Sequence, residues 1–89
     1  MKEVTVSGKT YEIRAWTRKE VRSARLKGLN LRIPGTPDPA MLDETFDHGL
    51  ELVFGENWES VVPDSQVESD LLFRKIHAET FGNPEAEKN

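Results

Sequence analysis

The chain of 89 residues has no cysteine, which removes disulfides and thiolate metal sites as supplements to its core. Apolar residues never run on for more than a few positions, so no segment reads as a membrane-spanning helix. Its first residues alternate as a strand would rather than forming a signal peptide's apolar stretch, and a cytoplasmic location is expected. Also absent are a P-loop, a glycine-rich dinucleotide turn, an H-E-x-x-H pair and any nucleophile motif around His77. Carboxylates are numerous, but abundance alone does not single out an acid and a base. No catalytic, cofactor-binding or metal-ligating residue is therefore assigned, and no enzymatic activity is expected. Glu44 and His48 stand at i, i+4, yet no third ligand follows at a metal-binding spacing.

Missing too is a basic residue anywhere from Ile33 to Asp70, a span that holds ten acidic ones. Arg14 to Arg32 carries seven basic residues against Glu20 alone, so a formal charge of −4 conceals two opposed halves. The basic run invites a nucleic-acid reading. The acidic total and the absence of any nucleic-acid motif spacing count against it.

The remaining pattern describes one α+β domain over residues 1–84, an N-terminal β-hairpin followed by three α-helices, with residues 85–89 as a disordered charged tail. Val4 and Val6, then Tyr11 and Ile13, alternate with polar residues around Ser7-Gly8-Lys9-Thr10. A turn on Gly8-Lys9 would set Val6 opposite Tyr11, Val4 opposite Ile13 and Glu3 opposite Arg14. Thr17 and Glu20 have capping-box spacing, with Trp16 and Val21 as a hydrophobic staple, and predict a helix from Arg18 to Gly28. Its apolar side is thin, while Arg18, Arg22 and Arg25 form a row. Leu29 to Ala40, with Asn30, Gly35 and three prolines, reads as a connecting loop open to motion.

The element expected to organise the rest runs from Pro39 to Gly55. Asp38 would cap it, Pro39 sits where a missing N–H costs nothing, and Gly55 would stop it. Leu42, Phe46, Gly49, Leu50 and Val53 share one side, with Met41, Thr45 and Leu52 at its margin. Asp43, Glu44, Asp47, His48 and Glu51 share the other. Trp58, Val61 and Val62 are expected to plug the core from an irregular segment ended by Pro63. Ser65 and Glu68 suggest a second capping box, opening a helix from about Gln66 to Phe81 that Gly82-Asn83-Pro84 ends. The expected core is Val4, Val6, Tyr11, Ile13, Trp16, Val21, Leu42, Phe46, Leu50, Val53, Trp58, Leu72, Phe73 and Ile76. A core of this size leaves roughly 3–5 kcal/mol of net stability.

Two features point to partners. The acidic row Asp43, Asp47, Glu51 sets like charges four residues apart, which a basic partner would relieve. Arg18, Arg22 and Arg25 could meet it within the monomer or across a subunit interface, or both rows could simply be solvated. The last helix has two apolar sides. Leu72, Phe73 and Ile76 fill one and Val67, Leu71 and Ala78 nearly the reverse, a face suited to self-association or partner binding if it is not buried.

The order of the hairpin VTVSGKTYEIRAWT, the basic helix RKEVRSARLKG, the acidic helix DETFDHGLELVFG and the ending IHAETFGNPEAEKN resembles the small tail assembly chaperones of long-tailed bacteriophages. The similarity spans essentially the whole chain. Its least ambiguous parts are GKTYEIR and ETFGN with EKN. What it implies is a non-enzymatic phage or prophage protein of the bacterial cytoplasm that binds the tape-measure protein and helps recruit tail-tube subunits. In many phages such proteins are also made as a longer product by translational frameshifting, and the resemblance implies the short form here. That family has no shared ligand motif, so it assigns no residue a role. The alternative from charge is a nucleic-acid-associated accessory protein using the basic helix 18–27.

Overall fold

The structure, a computed structural model, describes residues 2–34 and 39–82. Strands β1 (Lys2–Val6) and β2 (Lys9–Ile13) form the expected antiparallel hairpin. Helix α1 (Arg18–Leu26), a 3₁₀ turn (Pro39–Met41) and helices α2 (Leu42–Phe54), α3 (Trp58–Val61) and α4 (Gln66–Phe81) follow. The architecture is α+β, with a fourth, one-turn helix, α3, where an irregular segment was expected. No helix among the described residues is long and apolar enough to cross a membrane. The Asp38 cap and the 85–89 tail lie outside the described residues.

The hairpin register differs from expectation by two residues. Val4 pairs with Tyr11, Val6 with Lys9 and Glu3 with Glu12 around a Ser7-Gly8 turn. Both turn residues have positive φ, at 51° and 83°, as a type I′ turn requires to match the twist of the strands. A shift of two keeps every side chain on its face. Val6, Tyr11 and Ile13 are therefore still buried, with Val4 half-buried beside them. The shift also frees Arg14 from the ladder. Ser7 is placed to donate to Glu68 Oε1 at 2.6 Å, so Glu68 braces the hairpin turn instead of completing a reciprocal capping box. Only the Ser65 half of that box forms, at 3.4 Å to the Glu68 N–H.

Helix α1 begins with both bonds of the capping box, Glu20 N–H to Thr17 Oγ1 at 3.1 Å and Thr17 N–H to Glu20 Oε1 at 2.9 Å. At its other end the Gly28 N–H bonds the Arg25 carbonyl and the Leu29 N–H bonds the Ala24 carbonyl, each at 2.9 Å. This is a Schellman ending, which normally carries an inward apolar residue just past the glycine. Leu29 is that residue and is buried. Asn30 Oδ1 then accepts from the N–H groups of Arg32 and Ile33, both at 3.1 Å, and the bend carries Leu31 inward to complete burial. Leu29 and Leu31 thus belong to the core, where a connecting loop was expected.

The centre of the molecule is where α2 crosses Trp16 and α4. A Cβ built on Gly49 would lie 2.5 Å from Phe73 Cε2 and 2.8 Å from Trp16 Cζ2. Phe73 stacks on Phe46 with centroids 4.0 Å apart, and Trp16 tilts against Phe73 at 5.2 Å. The indole N–H donates to the Gly49 carbonyl at 3.0 Å, and the Trp16 backbone N–H donates to Thr80 Oγ1 at 2.9 Å. Leu50, Leu72 and Ile76 are buried around this contact, while Val21, Phe46, Val53 and Trp58 are half-buried.

Two expected core residues are not buried. Leu42 is 37% exposed because it occupies the first position of α2, lining an open depression with Ile33, Pro34 and Phe46. Thr45 closes the face one turn on, its hydroxyl bonded to the Met41 carbonyl at 2.7 Å. Val61, expected with Val62 to plug the core, is 39% exposed, while Val62 is buried as expected. The single turn of α3 ends in an extended Val62, at φ −77° and ψ 156°, which brings that side chain inward.

Gly49→Ala tests the crossing. Alanine favours an isolated helix by about 1 kcal/mol over glycine, but overpacking here should cost about 1–3 kcal/mol and outweigh it. The variant is expected to unfold at lower denaturant than the parent, and an unchanged or higher midpoint would show that the crossing has slack.

Candidate protein-interaction surfaces

The most heavily bonded polar group in the described structure is the Arg14–Glu20 pair. The guanidinium meets the carboxylate in a two-pronged bond, at 2.8 and 2.9 Å, and Nη2 also donates to the Leu52 carbonyl at 2.6 Å. Leu52 lies in the last turn of α2, where carbonyls lack an intrahelical partner. Arg14 thus joins the end of β2, the start of α1 and the end of α2. Arginine's hydrogen bonds hold the Glu20 carboxyl down to about 2 from an ordinary 4.5, and the same bonds raise Arg14. The expected cross-strand partner of Arg14 was Glu3, but the register leaves Arg14 beyond the last paired residue.

The two charged rows do not meet within the chain. Among the described residues the ion pairs are Arg14–Glu20 and an exposed Lys2–Glu79 contact at 3.3 Å. Arg18, Arg22 and Arg25 are exposed on α1 and line a groove with Arg32, Trp16 and Phe81. Asp43, Asp47 and Glu51 are exposed on α2. Glu51 borders a depression with Lys27, His48 and Glu56. Asp43 and Asp47 share a field with Glu59 of α3 and Asp70 of α4. Partial desolvation raises the Asp47 carboxyl above its ordinary value, and repulsion from Asp43, Glu59, Asp70 and Glu44 adds to the rise.

Beside this acidic cluster lies the second side of α4. Val67 and Leu71 are 69% and 42% exposed and border a shallow depression with Asp70 and Arg74. Ala78 is exposed further along the helix. This face is therefore not covered by the described part of the chain. His77, which sequence offered as an unremarkable side chain, is half-buried against Phe81 with centroids 4.9 Å apart. Its Nε2 lies 2.8 Å from the Arg32 carbonyl, and since a carbonyl can only accept, Nε2 carries the hydrogen. That bond fixes Arg32 beside α1, a placement that no local pattern in the sequence announces. Among the described residues no three His, Cys, Asp or Glu side chains stand together as a metal site would require.

The two perturbed carboxylates give opposite pH dependences. Glu20 binds its proton less tightly when folded, so its contribution is whole above about pH 4.5 and is lost as pH falls through about 2. Glu20→Gln keeps the size and capping geometry, and should cost about 1–2 kcal/mol at pH 7 and flatten that acid transition. Asp47 binds its proton more tightly when folded, so its penalty grows as pH rises above its ordinary 3.8. Asp47→Asn should raise the thermal midpoint at pH 7 and leave it unchanged at pH 3. A lowered midpoint at pH 7 would mean that the carboxylate has a stabilising partner.

No family model, curated protein or solved structure matches this chain.

Proposed function

We propose that this chain is a non-enzymatic assembly chaperone of the phage-tail kind, which binds the tape-measure protein and helps recruit tail-tube subunits in the cytoplasm of the bacterial host. The observation that carries the protein-binding part is the α4 face, where exposed Val67 and Leu71 adjoin the carboxylates around Asp47. An apolar strip rimmed by charged side chains, here Asp70 and Arg74, is the anatomy of a protein-docking surface, with burial supplying affinity and the rim supplying orientation. The carboxylates around Asp47 suit a partner segment with basic residues beside an apolar stripe, and binding would relieve the repulsion at Asp47. The tail-assembly part rests on the resemblance in the hairpin and the terminal segment. Self-association through exposed Val67 and Leu71 is compatible with this role.

Leu71→Asp tests the reading. Leu71 is exposed, so the variant should keep its helix content and thermal midpoint while losing capture of the co-expressed tape-measure protein by at least about tenfold. Capture at the parent's level would remove this face from the interaction. Failure of the parent itself to bind tape-measure or tail-tube protein would refute the assembly role. Binding of DNA or RNA at physiological salt that is lost with the basic helix 18–27 would favour the nucleic-acid alternative.

A further inference from the structure

Arg18, Arg22 and Arg25 of α1 and Arg32 of the following segment surround a groove of about 360 Å³ whose floor includes Val21, Thr80 and Phe81. None of the four guanidinium groups is in an ion pair among the described residues. Like charges at i, i+3 and i+4 destabilise a helix, and α1 buries only Ala24 in compensation. Arg32 is brought to the same place by tertiary structure, its carbonyl bonded to His77 and its guanidinium 5.4 Å above the Phe81 ring.

The ligand chemistry follows from what this groove offers and what it withholds. Arginine forks bind carboxylate and phosphate alike. Single-stranded nucleic acid also needs open aromatic faces for its bases, and none is available here. Trp16 is 3% exposed and the face of Phe81 is covered by Arg32. The net charge of −4 further opposes a polyanion that extends beyond the groove. A short acidic segment meets neither obstacle. The row from Arg18 to Arg25 spans about 10 Å along the helix axis, the length over which a facing helix presents carboxylates at i, i+4 and i+7. Half-buried Val21 in the groove lining leaves apolar surface for one aliphatic side chain.

We propose that this groove binds an acidic amphipathic helix of a partner protein, its carboxylates engaging Arg18, Arg22 and Arg25 and its apolar residue resting on Val21. The site is separate from the α4 face and does not depend on the assembly role. A fluorescein-labelled helical peptide with Glu at i, i+4 and i+7 and one Leu on the same side is the probe, titrated with the full chain at physiological salt and read by anisotropy. It should bind, and the same peptide with Gln for Glu should bind at least about tenfold more weakly. Arg22→Glu should abolish binding with the thermal midpoint unchanged, and a peptide with Lys at the middle position should recover it. Arg22→Gln serves if the charge reversal unfolds α1. Equal binding of the Glu and Gln peptides, or binding indifferent to Arg22, would overturn the proposal. So would tighter, Arg22-dependent binding of oligothymidine. A concentration-dependent increase in mass that Arg22→Glu abolishes would give the groove to a second copy of the chain instead. Because Leu71→Asp leaves this groove intact, it should not affect peptide binding.

Discussion

Everything in this fold leans on the passage of α2 over Trp16 at Gly49. Only a residue without a Cβ lets the helix backbone approach the indole and Phe73 so closely, and the indole N–H uses that proximity to reach the Gly49 carbonyl. One aromatic side chain thereby ties the start of α1 to the middle of α2, while its backbone N–H ties the same point to Thr80 near the end of α4. In a domain with so small a core, a contact that joins three helices carries more than the area it buries.

A second junction closes the other side. Glu20 serves two masters, capping α1 through the Thr17 N–H and holding Arg14, which in turn satisfies a carbonyl at the end of α2. Its low pKa reflects those bonds. Buried apolar area alone would not orient α1, whose sequence gives it a basic exterior and almost no interior. Polar bonds at its start and a Schellman turn at its end hold it in place, leaving its arginines turned outward.

The surface that results is segregated by charge. α1 and Arg32 present cations around a groove with an apolar floor. α2, α3 and α4 bring Asp43, Asp47, Glu59 and Asp70 into one field. Exposed Val67 and Leu71 border the second of these and not the first. The groove's guanidinium groups form no ion pair among the described residues, while the apolar strip of α4 is bordered by both Asp70 and Arg74. The proposed binding role rests on these two surfaces.

Local chemistry by itself determined the hairpin, the ends of α1 and α4, the Gly55 stop of α2 and most of the buried face of the helices, because capping, turn residues and periodicity act over a few residues. Even where the hairpin register was misjudged, the two-residue shift preserved which side chains face inward. Only tertiary structure decided the rest. Leu31 is buried because an Asx turn and the His77 bond fold its segment onto α4, which a proline-rich stretch does not reveal. Leu42 has the phase of a core residue but occupies a helix end. The arginine row was visible on its helix, but Arg32 and the apolar floor that make it a groove come from elsewhere in the chain. The acidic row was visible on α2, but the neighbours that packing brings to it, Glu59 and Asp70 near Asp47 and Lys27 near Glu51, come from elsewhere in the chain. A periodicity specifies which residues share a side of one element. Which sides meet is settled by how the elements close around Trp16, a matter of long-range packing that no local spacing encodes.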